Sequence, residues 1–256
     1  MVSASPTVLV VRPRAQALAW VDELAALGVA ARALPLIDIL PAPEPARVAA
    51  VFDEVVASSA EPVLVFVSPN AVHGFFASAG TASWPAHATA AATGPGTVAA
   101  LRERGVPSDC TVAPPTDAAQ FDSEALWSVV AGWPWRARPV WIVRGNGGRD
   151  WLGQQLRDAG ADVRVIQSYG RAAPALAADE LALLDAARAE PMRWLWMFSS
   201  SEAVENLRML APDADWSAAR ALASHPRIAE AVESAGFGAV TLVAPTPGAV
   251  ALASRL

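Results

Sequence analysis

Residues 139–171 read PVWIVRGNGGRDWLGQQLRDAGADVRVIQSYGR and predict a strand, a glycine-rich turn, a helix and a second strand. The apolar run Val140–Val143 is too short for anything but a buried strand. Apolar side chains at helical spacing follow the turn, and Gly160 is placed to end that helix just after its last residue. The second strand, Val163–Ile166, leads to Tyr169, the single tyrosine of the chain.

The turn Arg144-Gly145-Asn146-Gly147-Gly148-Arg149-Asp150 has two interpretations. Glycines allow a ligand to approach the backbone, a helix N-terminus offers free N–H groups, and two arginines add donors for carboxylate or phosphate. These features predict an anion site. Arg149, expected in the first helical turn, is a cation that needs an anionic partner there. The turn matches neither the GxxxxGK nor the GxGxxG phosphate motif, and an ordinary loop with surface arginines explains it equally well.

The composition excludes several classes of function. The chain has 256 residues, enough for one or two domains, and a net charge of −6 with no basic patch for a nucleic acid. It contains no lysine, which excludes a pyridoxal cofactor held as a Schiff base. One cysteine and three histidines without zinc-ligand spacing, Cys110, His73, His87 and His225, predict no metal site.

The sequence also indicates where the protein works. No apolar run approaches the roughly 20 residues of a membrane-spanning helix. The first residues, MVSASPTVLVV, lack the basic region and the long apolar core of a secretory signal. We therefore expect a cytoplasmic protein with no membrane contact.

An internal repeat organises the chain. Predicted strands alternate with helices throughout, which indicates an α/β fold with parallel sheets. Arg12 and Arg144 end equivalent strands 132 residues apart, and Gly28 and Gly160 end the helices that follow them at the same offset. The segments 66–72 (FVSPNAV) and 198–204 (FSSSEAV) match in the same register. The repeat predicts two copies of one α/β half, and clefts between such halves are favoured ligand sites.

The motifs together resemble the uroporphyrinogen-III synthase family along nearly the whole chain. Their order and spacing carry the resemblance, since none is decisive alone. They are V-x-R-P (10–13), P-L-I-x-I (35–39), F-V-S-P-N-A-V (66–72), T-G-P-G-T (93–97), D-S-E (122–124), R-G-x-G-G-R-D-W-L (144–152), Y-x-R (169–171), S-S-S-E-A-V (199–204) and H-P-R-I-A (225–229).

The resemblance implies an α/β fold of two similar parallel-sheet domains joined by a two-strand linker. Residues 1–36 with 170–256 would form one domain and residues 40–166 the other, with linkers near 36–40 and 166–170. The first strand-helix-strand unit of each repeat would be exchanged between the two domains.

The resemblance also implies the reaction. The family closes the linear tetrapyrrole hydroxymethylbilane to uroporphyrinogen III, with loss of water and inversion of ring D. The loss of water makes it a cyclising hydro-lyase of porphyrin (haem and corrin) biosynthesis, and it uses no cofactor or metal. The implied partners are this small molecule and, in transient contact, the preceding pathway enzyme. We expect a monomer that binds no nucleic acid.

The motifs carry the expected site. Tyr169 is the expected catalytic residue, because a phenol can donate a proton as water leaves. Ser68, Ser123, Ser199, Ser200 and Ser201 also have N-cap chemistry. The expected substrate-binding residues are Arg12, Ser68, Asn70, Thr93, Gly94, Thr97, Ser123, Arg144, Gly145, Gly148, Arg149, Ser200, Ser201 and Arg227.

One departure from the family pattern affects a single expected contact. The second copy reads His225-Pro226-Arg227, without the hydroxyl that Thr97 supplies in the first copy, and Arg227 is the expected replacement donor.

Two α/β lobes around a cleft also suit a regulatory module that binds a tetrapyrrole or another polyanion without catalysis. Turnover of bilane distinguishes the two functions.

Overall fold

The structure, a computed structural model, describes residues 5–80, 83–118 and 120–255. The chain divides into two compact units. The first contains the residues up to Asp38 and those from Ala172 onwards, and the second contains Ile39–Arg171. Each unit is described by itself below.

The first unit is built on a parallel sheet of five strands. In spatial order these are β2 (Ala31–Ala33), β1 (Thr7–Val10), β10 (Trp194–Phe198), β11 (Arg220–Ala223) and β12 (Ala239–Leu242). The helices of this unit are α1 (Arg14–Ala26), α7 (Ala178–Ala189), α8 (Ser201–Leu210), α9 (Pro226–Ser234) and α10 (Pro247–Ala253). All four strand pairings are parallel, and Val8 lies beside Leu195.

The second unit repeats this plan. Its parallel sheet has the order β6 (Thr111–Val112), β5 (Thr89–Ala92), β4 (Val63–Phe66), β7 (Pro139–Arg144) and β8 (Asp162–Gln167). Its helices are α2 (Pro45–Ala57), α3 (Pro69–Ala79), α4 (Pro95–Glu103), α5 (Ser123–Val130) and α6 (Trp151–Asp158). Two 3₁₀ turns, Ser108–Cys110 and Pro191–Arg193, complete the described helical segments.

The exchange predicted from the repeat is present. Strands β1 and β2 of the first copy pair with β10 to β12 of the second, while β7 and β8 of the second copy pair with β4 to β6 of the first. A separate two-stranded sheet joins β3 (Asp38–Pro41) to β9 (Tyr169–Ala172), where the chain passes between the units. The predicted fold class is therefore confirmed.

The central strands β4 and β10 are apolar on both faces because both faces are covered. Alternate residues of β10 belong to different core clusters, with Trp196 and Phe198 in one and Leu195 and Met197 in the other. Strand β4 shows the same division between its two clusters. No described helix has the length and apolar character needed to cross a bilayer.

Glycines end the helices as the sequence predicts. Gly28, Gly105, Gly160 and Gly236 have φ values of 75°, 78°, 92° and 94°, in the left-handed region that closes a helix. A side chain would be strained at each of these positions, which explains why glycine occurs there in both copies.

An ion pair with a buried carboxylate joins α1 to α7 in the first unit. Both terminal nitrogens of Arg14 donate to the carboxylate of Glu180, with Nη2 3.0 Å from Oε2. The same carboxylate accepts the N–H of Ala177 at 2.9 Å, which caps α7. The hydrogen bonds from Arg14, more than that from Ala177, lower the pKa of Glu180 from its ordinary value. Nothing local in the sequence predicts this contact between distant residues.

Replacing Glu180 tests the pair. We expect Glu180→Gln to lower the free energy of unfolding at pH 7 by about 2 kcal/mol, because charge-assisted hydrogen bonds are lost. Folding lowers the pKa of this carboxyl, so its contribution is complete above its ordinary pKa of 4.5 and disappears as the pH falls below it. The difference in free energy of unfolding between wild type and variant, measured with urea, should therefore become smaller in acid.

The exposed pair of Glu190 with Arg193 provides the control. Glu190→Gln should change the unfolding free energy by less than about 1 kcal/mol, as for surface ion pairs in general. If the loss of unfolding free energy in Glu180→Gln stays the same from pH 7 into acid, the ion pair of Glu180 with Arg14 does not contribute as we expect.

Candidate functional site

Tyr169 lies where β4 and β7 end in the second unit. Its side chain is buried, with 5% exposure. The hydroxyl is 3.3 Å from Oγ of Ser68, and either oxygen can donate. Ser68 is the N-cap of α3, and its Oγ accepts the N–H of Ala71 at 3.1 Å. One serine therefore caps a helix and contacts the phenol.

Two glycines lie so close to Ser168 and Tyr169 that their missing side chains leave the space these residues occupy. A Cβ on Gly145 would lie 2.8 Å from Cζ of Tyr169. A Cβ on Gly74, in the middle of α3, would lie 2.1 Å from the carbonyl oxygen of Ser168. Both distances are shorter than real Cβ contacts, so a side chain at position 145 would have to displace the ring of Tyr169, and one at position 74 would have to displace backbone.

Hydrogen bonds fix the backbone on either side of Tyr169. The amide of Asn146 donates to the carbonyl of Arg171 at 3.0 Å and accepts its N–H at 2.8 Å. The hydroxyl of Ser168, fully buried, donates to the carbonyl of Ala71 at 3.0 Å. Gln167 donates to the carbonyl of Tyr169 itself at 3.2 Å. Hydrogen bonds from three side chains therefore hold the backbone that bears the phenol.

The two arginines of the glycine turn have different partners. Nη2 of Arg144 donates to the carbonyl of Gly148 at 3.0 Å, and Gly148 has a φ of 114°. Arg149 pairs with Glu124, at 2.7 Å from Nη1 to Oε1. The expectation that Arg149 lies in the first helical turn is wrong, because α6 begins at Trp151 after the N-cap Asp150. The anionic partner expected for Arg149 is thus present within the protein.

A cavity of about 470 Å³ opens beside this turn. Arg47, Arg144 and Gln167 contribute to its lining, together with Gly145 and Asn146. Glu44, which pairs with Arg47, and Asp150 also line the cavity, so its two guanidinium groups lie beside two carboxylates.

Other predicted residues of the second unit lie at neighbouring strand ends. Thr93 Oγ1 donates to the carbonyl of Val67 at 3.1 Å, Gly94 is the N-cap of α4, and Thr97 is buried in its first turn. Asn70 lies in the first turn of α3. Ser123 begins α5.

The N-cap prediction for Ser123 is wrong. Oδ1 of Asp122 accepts the N–H of Ala125 at 2.9 Å and so fills the capping position of α5. Asp122 and Ser123 have equal capping chemistry, and the structure places the helix cap one residue earlier than the serine.

The first unit presents equivalent residues. The guanidinium of Arg12 stacks 4.6 Å from the ring centre of Trp20 and donates to Oε1 of Gln16 at 3.0 and 3.2 Å. Burial lowers the pKa of Arg12 from its ordinary value. The guanidinium nevertheless stays charged, because arginine does not lose its proton in proteins.

The serines of the first unit divide their roles. Ser200 occupies the N-cap position of α8, whereas Ser199 precedes it and Ser201 follows it. The side chain of Ser200 makes no cap hydrogen bond to the helix backbone, unlike that of Ser68. Oγ of Ser201 is buried and has no hydrogen-bond partner among the residues that the structure describes.

A histidine takes the N-cap position of α9, which Gly94 occupies in α4. His225 is the N-cap, and its Nδ1 accepts the N–H of Arg227 at 3.2 Å. The backbone of Arg227 is therefore the donor in this cap, while its side chain begins the exposed face of the helix.

These groups lie at the carboxyl ends of parallel strands, where the strand order reverses. In the second unit the reversal is between β4 and β7, which are followed by Ser68 and Gly145. In the first unit it is between β1 and β10, which are followed by Arg12 and Ser200. Open α/β sheets bind their ligands at this switch point. Over the described ranges, no three His, Cys, Asp or Glu residues are grouped to hold a metal ion.

Comparison with known proteins supplies the family. The model of the HEM4 family, uroporphyrinogen-III synthase HemD, matches residues 19–254. The chain belongs to the uroporphyrinogen-III synthase family. The resemblance predicted from the ordered motifs is therefore confirmed.

Two solved structures with low sequence identity share the fold. A mutant uroporphyrinogen III synthase from the extremely thermophilic bacterium Thermus thermophilus is 17% identical over 98% of this chain and 97% of its own, with a TM-score of 0.59. Uroporphyrinogen-III synthetase from Helicobacter pylori 26695 is 15% identical over 98% and 99% of the two chains, with a TM-score of 0.62.

Sequence reasoning missed the residues that support Tyr169. Gly74, Asn146, Gln167 and Ser168 contact its backbone or its neighbours but were not among the expected site residues of this synthase-family chain. Gly74 alone carried a local signal, because an isolated glycine inside a helical pattern indicates close packing.

Ser68→Ala tests the cap. We expect the substitution to lower the free energy of unfolding by about 1 kcal/mol, because the N–H of Ala71 loses its acceptor. Ser123→Ala is the matched control, since Ser123 follows the cap of its helix, and it should change stability by about 0.5 kcal/mol or less. Urea unfolding measures both. Equal losses in the two variants would refute the assignment of the caps.

Proposed function

We propose that this chain catalyses the closure of hydroxymethylbilane to uroporphyrinogen III. The family is one of enzymes of porphyrin biosynthesis, and its model covers residues 19–254. The observation that carries the proposal is the buried phenol of Tyr169, held against Ser68 at the switch point of the second unit. A polar group held in this way suits a step that needs a directed proton.

The proposed role of Tyr169 follows from the bonds that change. The C–O bond of the hydroxymethyl group breaks as the adjacent pyrrole nitrogen supplies the electron pair. Tyr169 donates the proton that converts the leaving hydroxyl to water. The α-carbon of ring D that already carries a methylene bridge then attacks, its bond to that bridge breaks, and the bridge re-forms its bond at the other α-carbon, which inverts ring D. The proton lost from that second carbon restores the phenol. The net change is loss of one water, which is lyase chemistry that consumes no oxidant, reductant or metal.

Ser68 supports this role in two ways. Its Oγ lies 3.3 Å from the phenol oxygen, and we propose that it donates to this oxygen, which leaves the hydrogen of the phenol for the substrate. Because the same oxygen accepts the N–H of Ala71, the serine cannot turn away without uncapping α3. We propose that Ser68 holds the phenol and, through it, the departing hydroxyl.

The substrate carries eight carboxylates, and we propose local positive groups as their partners. Helices α3 and α4 direct their N-termini towards the carboxyl ends of the strands, where anions are stabilised. Arg144 is the proposed side-chain contact, because its partner within the described residues is a carbonyl rather than a carboxylate. Arg149 already pairs with Glu124 and is a weaker candidate. The net charge of −6 opposes binding little, since charges beyond about 8 Å are screened.

The remaining predicted contacts extend the proposal. Asn70, Thr93, Gly94, Thr97 and Gly148 share the strand ends of the second unit with Ser68. Arg12, Ser200, Ser201 and Arg227 lie at strand ends of the first unit. We propose both groups as substrate contacts, with residues 1–36 plus 170–256 and residues 40–166 acting as the two domains of a cytoplasmic monomer.

A direct assay tests the proposed function. Purified protein supplied with hydroxymethylbilane, made in place by the preceding enzyme, should yield the type III isomer without added metal or cofactor. The type I isomer arises by unassisted closure and serves as the internal control. Type I product alone, together with saturable binding of bilane, would support a regulatory binding module instead.

Tyr169→Phe tests the proposed proton donor. General acid catalysis contributes about 10²–10⁴-fold, and the lower end is expected because the pyrrole nitrogen already drives the hydroxyl out. We therefore expect kcat to fall by roughly ten- to a few hundredfold, with mostly type III product. The kcat, the isomer ratio and a melting curve are measured on one preparation. Full kcat, or equal losses of activity and stability, would reduce Tyr169 to a packing residue.

A further inference from the structure

We propose that Gly145 is a positioning residue for Tyr169: the missing side chain fixes where the phenol lies. The proposal rests on the proposed catalytic role of Tyr169 for its effect on activity. It differs from the sequence-based view of the turn, in which glycines admit a ligand. Here the space above Gly145 is filled by the protein itself.

The closest contacts are with the phenol ring. The three atoms nearest to a Cβ on Gly145 are Cζ, Cε2 and Cε1 of Tyr169, at 2.8, 3.0 and 3.2 Å. These atoms form the end of the ring that carries the hydroxyl. A methyl group at position 145 would therefore displace the hydroxyl end of the ring first.

Backbone conformation gives no other reason for glycine at this position. Gly148, in the same turn, has a φ of 114° and requires glycine for that reason. Gly145 is absent from the described residues with positive φ. An alanine at position 145 therefore acts through its Cβ and not through backbone strain.

Asn146 keeps the glycine turn from moving away from Tyr169. Its two hydrogen bonds to the backbone of Arg171 tie the turn to β9, two residues after Tyr169. Gly145 and the phenol thus belong to one connected segment. A Cβ that cannot retreat with the turn must push the ring, and the ring must then move from Oγ of Ser68.

Gly147 provides a matched control in the same turn. A Cβ on Gly147 would meet no atom within 4 Å, and this residue also lacks a positive φ. Gly147→Ala therefore makes the same chemical change without touching Tyr169.

The experiment compares both alanine variants by kinetics and by tyrosine NMR. Because Tyr169 is the only tyrosine, protein labelled with ¹³C at tyrosine Cζ gives one resonance from this ring. We expect Gly145→Ala to shift that resonance and to lower kcat about tenfold or more, with KM within about threefold. Gly147→Ala should leave the resonance in place and kcat within about twofold.

A double variant separates positioning from ligand contact. If Gly145 acts through the hydroxyl of Tyr169, adding Gly145→Ala to Tyr169→Phe should lower kcat by less than about threefold more. If Gly145 instead admits the substrate, its alanine variant will raise KM in both backgrounds, and the proposal is overturned. An unchanged tyrosine resonance in Gly145→Ala overturns it as well.

The two proposals fail in distinguishable ways. Full activity in Tyr169→Phe would remove the catalytic role, while the resonance shift in Gly145→Ala would still establish positioning. If Gly145→Ala does not fold, Asn146→Ala removes the two hydrogen bonds to the backbone of Arg171 without adding volume at position 145. It should shift the tyrosine resonance and lower kcat several-fold, and an unchanged resonance and kcat would refute the proposal.

Discussion

The pairing of β1 with β10 and of β4 with β7 is the constraint on which the fold depends. Each pairing joins a strand of one sequence copy to a strand of the other, so neither copy completes a five-stranded sheet alone. The two pairings are also where strand order reverses. The pairing that completes each sheet therefore also creates its switch point, and topology places Ser68, Gly145, Arg12 and Ser200 there.

The two copies keep one framework but differ around Tyr169. At the 132-residue offset, Gly74 corresponds to Asn206 and Ser168 to Leu36. In the second unit a glycine admits the carbonyl of Ser168, whereas in the first Asn206 donates to the carbonyl of Leu36 at 2.6 Å. The position of Tyr169 is a buried isoleucine in the first copy, Ile37. The proposed proton donor therefore has no counterpart in the first copy.

Sequence patterns predicted the features that depend on neighbouring residues. Apolar runs located the strands, and glycines such as Gly160 located helix ends, because strand burial and left-handed φ values are local requirements. The partner of Arg149 and the pair of Arg14 with Glu180 were not predictable, since they join residues far apart in sequence. The contact of Gly145 with Tyr169 was not predictable for the same reason. The sequence shows that a glycine allows another group to come close to the backbone, but it does not show whether that group is a ligand or a side chain from elsewhere in the chain.

Titration of the labelled tyrosine with an unreactive substrate tests the central claim most directly. A bilane whose hydroxymethyl group is replaced by methyl cannot lose water but keeps all its carboxylates. Because Tyr169 is the only tyrosine, its ¹³Cζ resonance reports on this one phenol. If the reacting end of the substrate lies against Tyr169, that resonance should shift in proportion to binding measured by calorimetry. Saturable binding with an unmoved resonance would contradict the placement of the reaction at Tyr169.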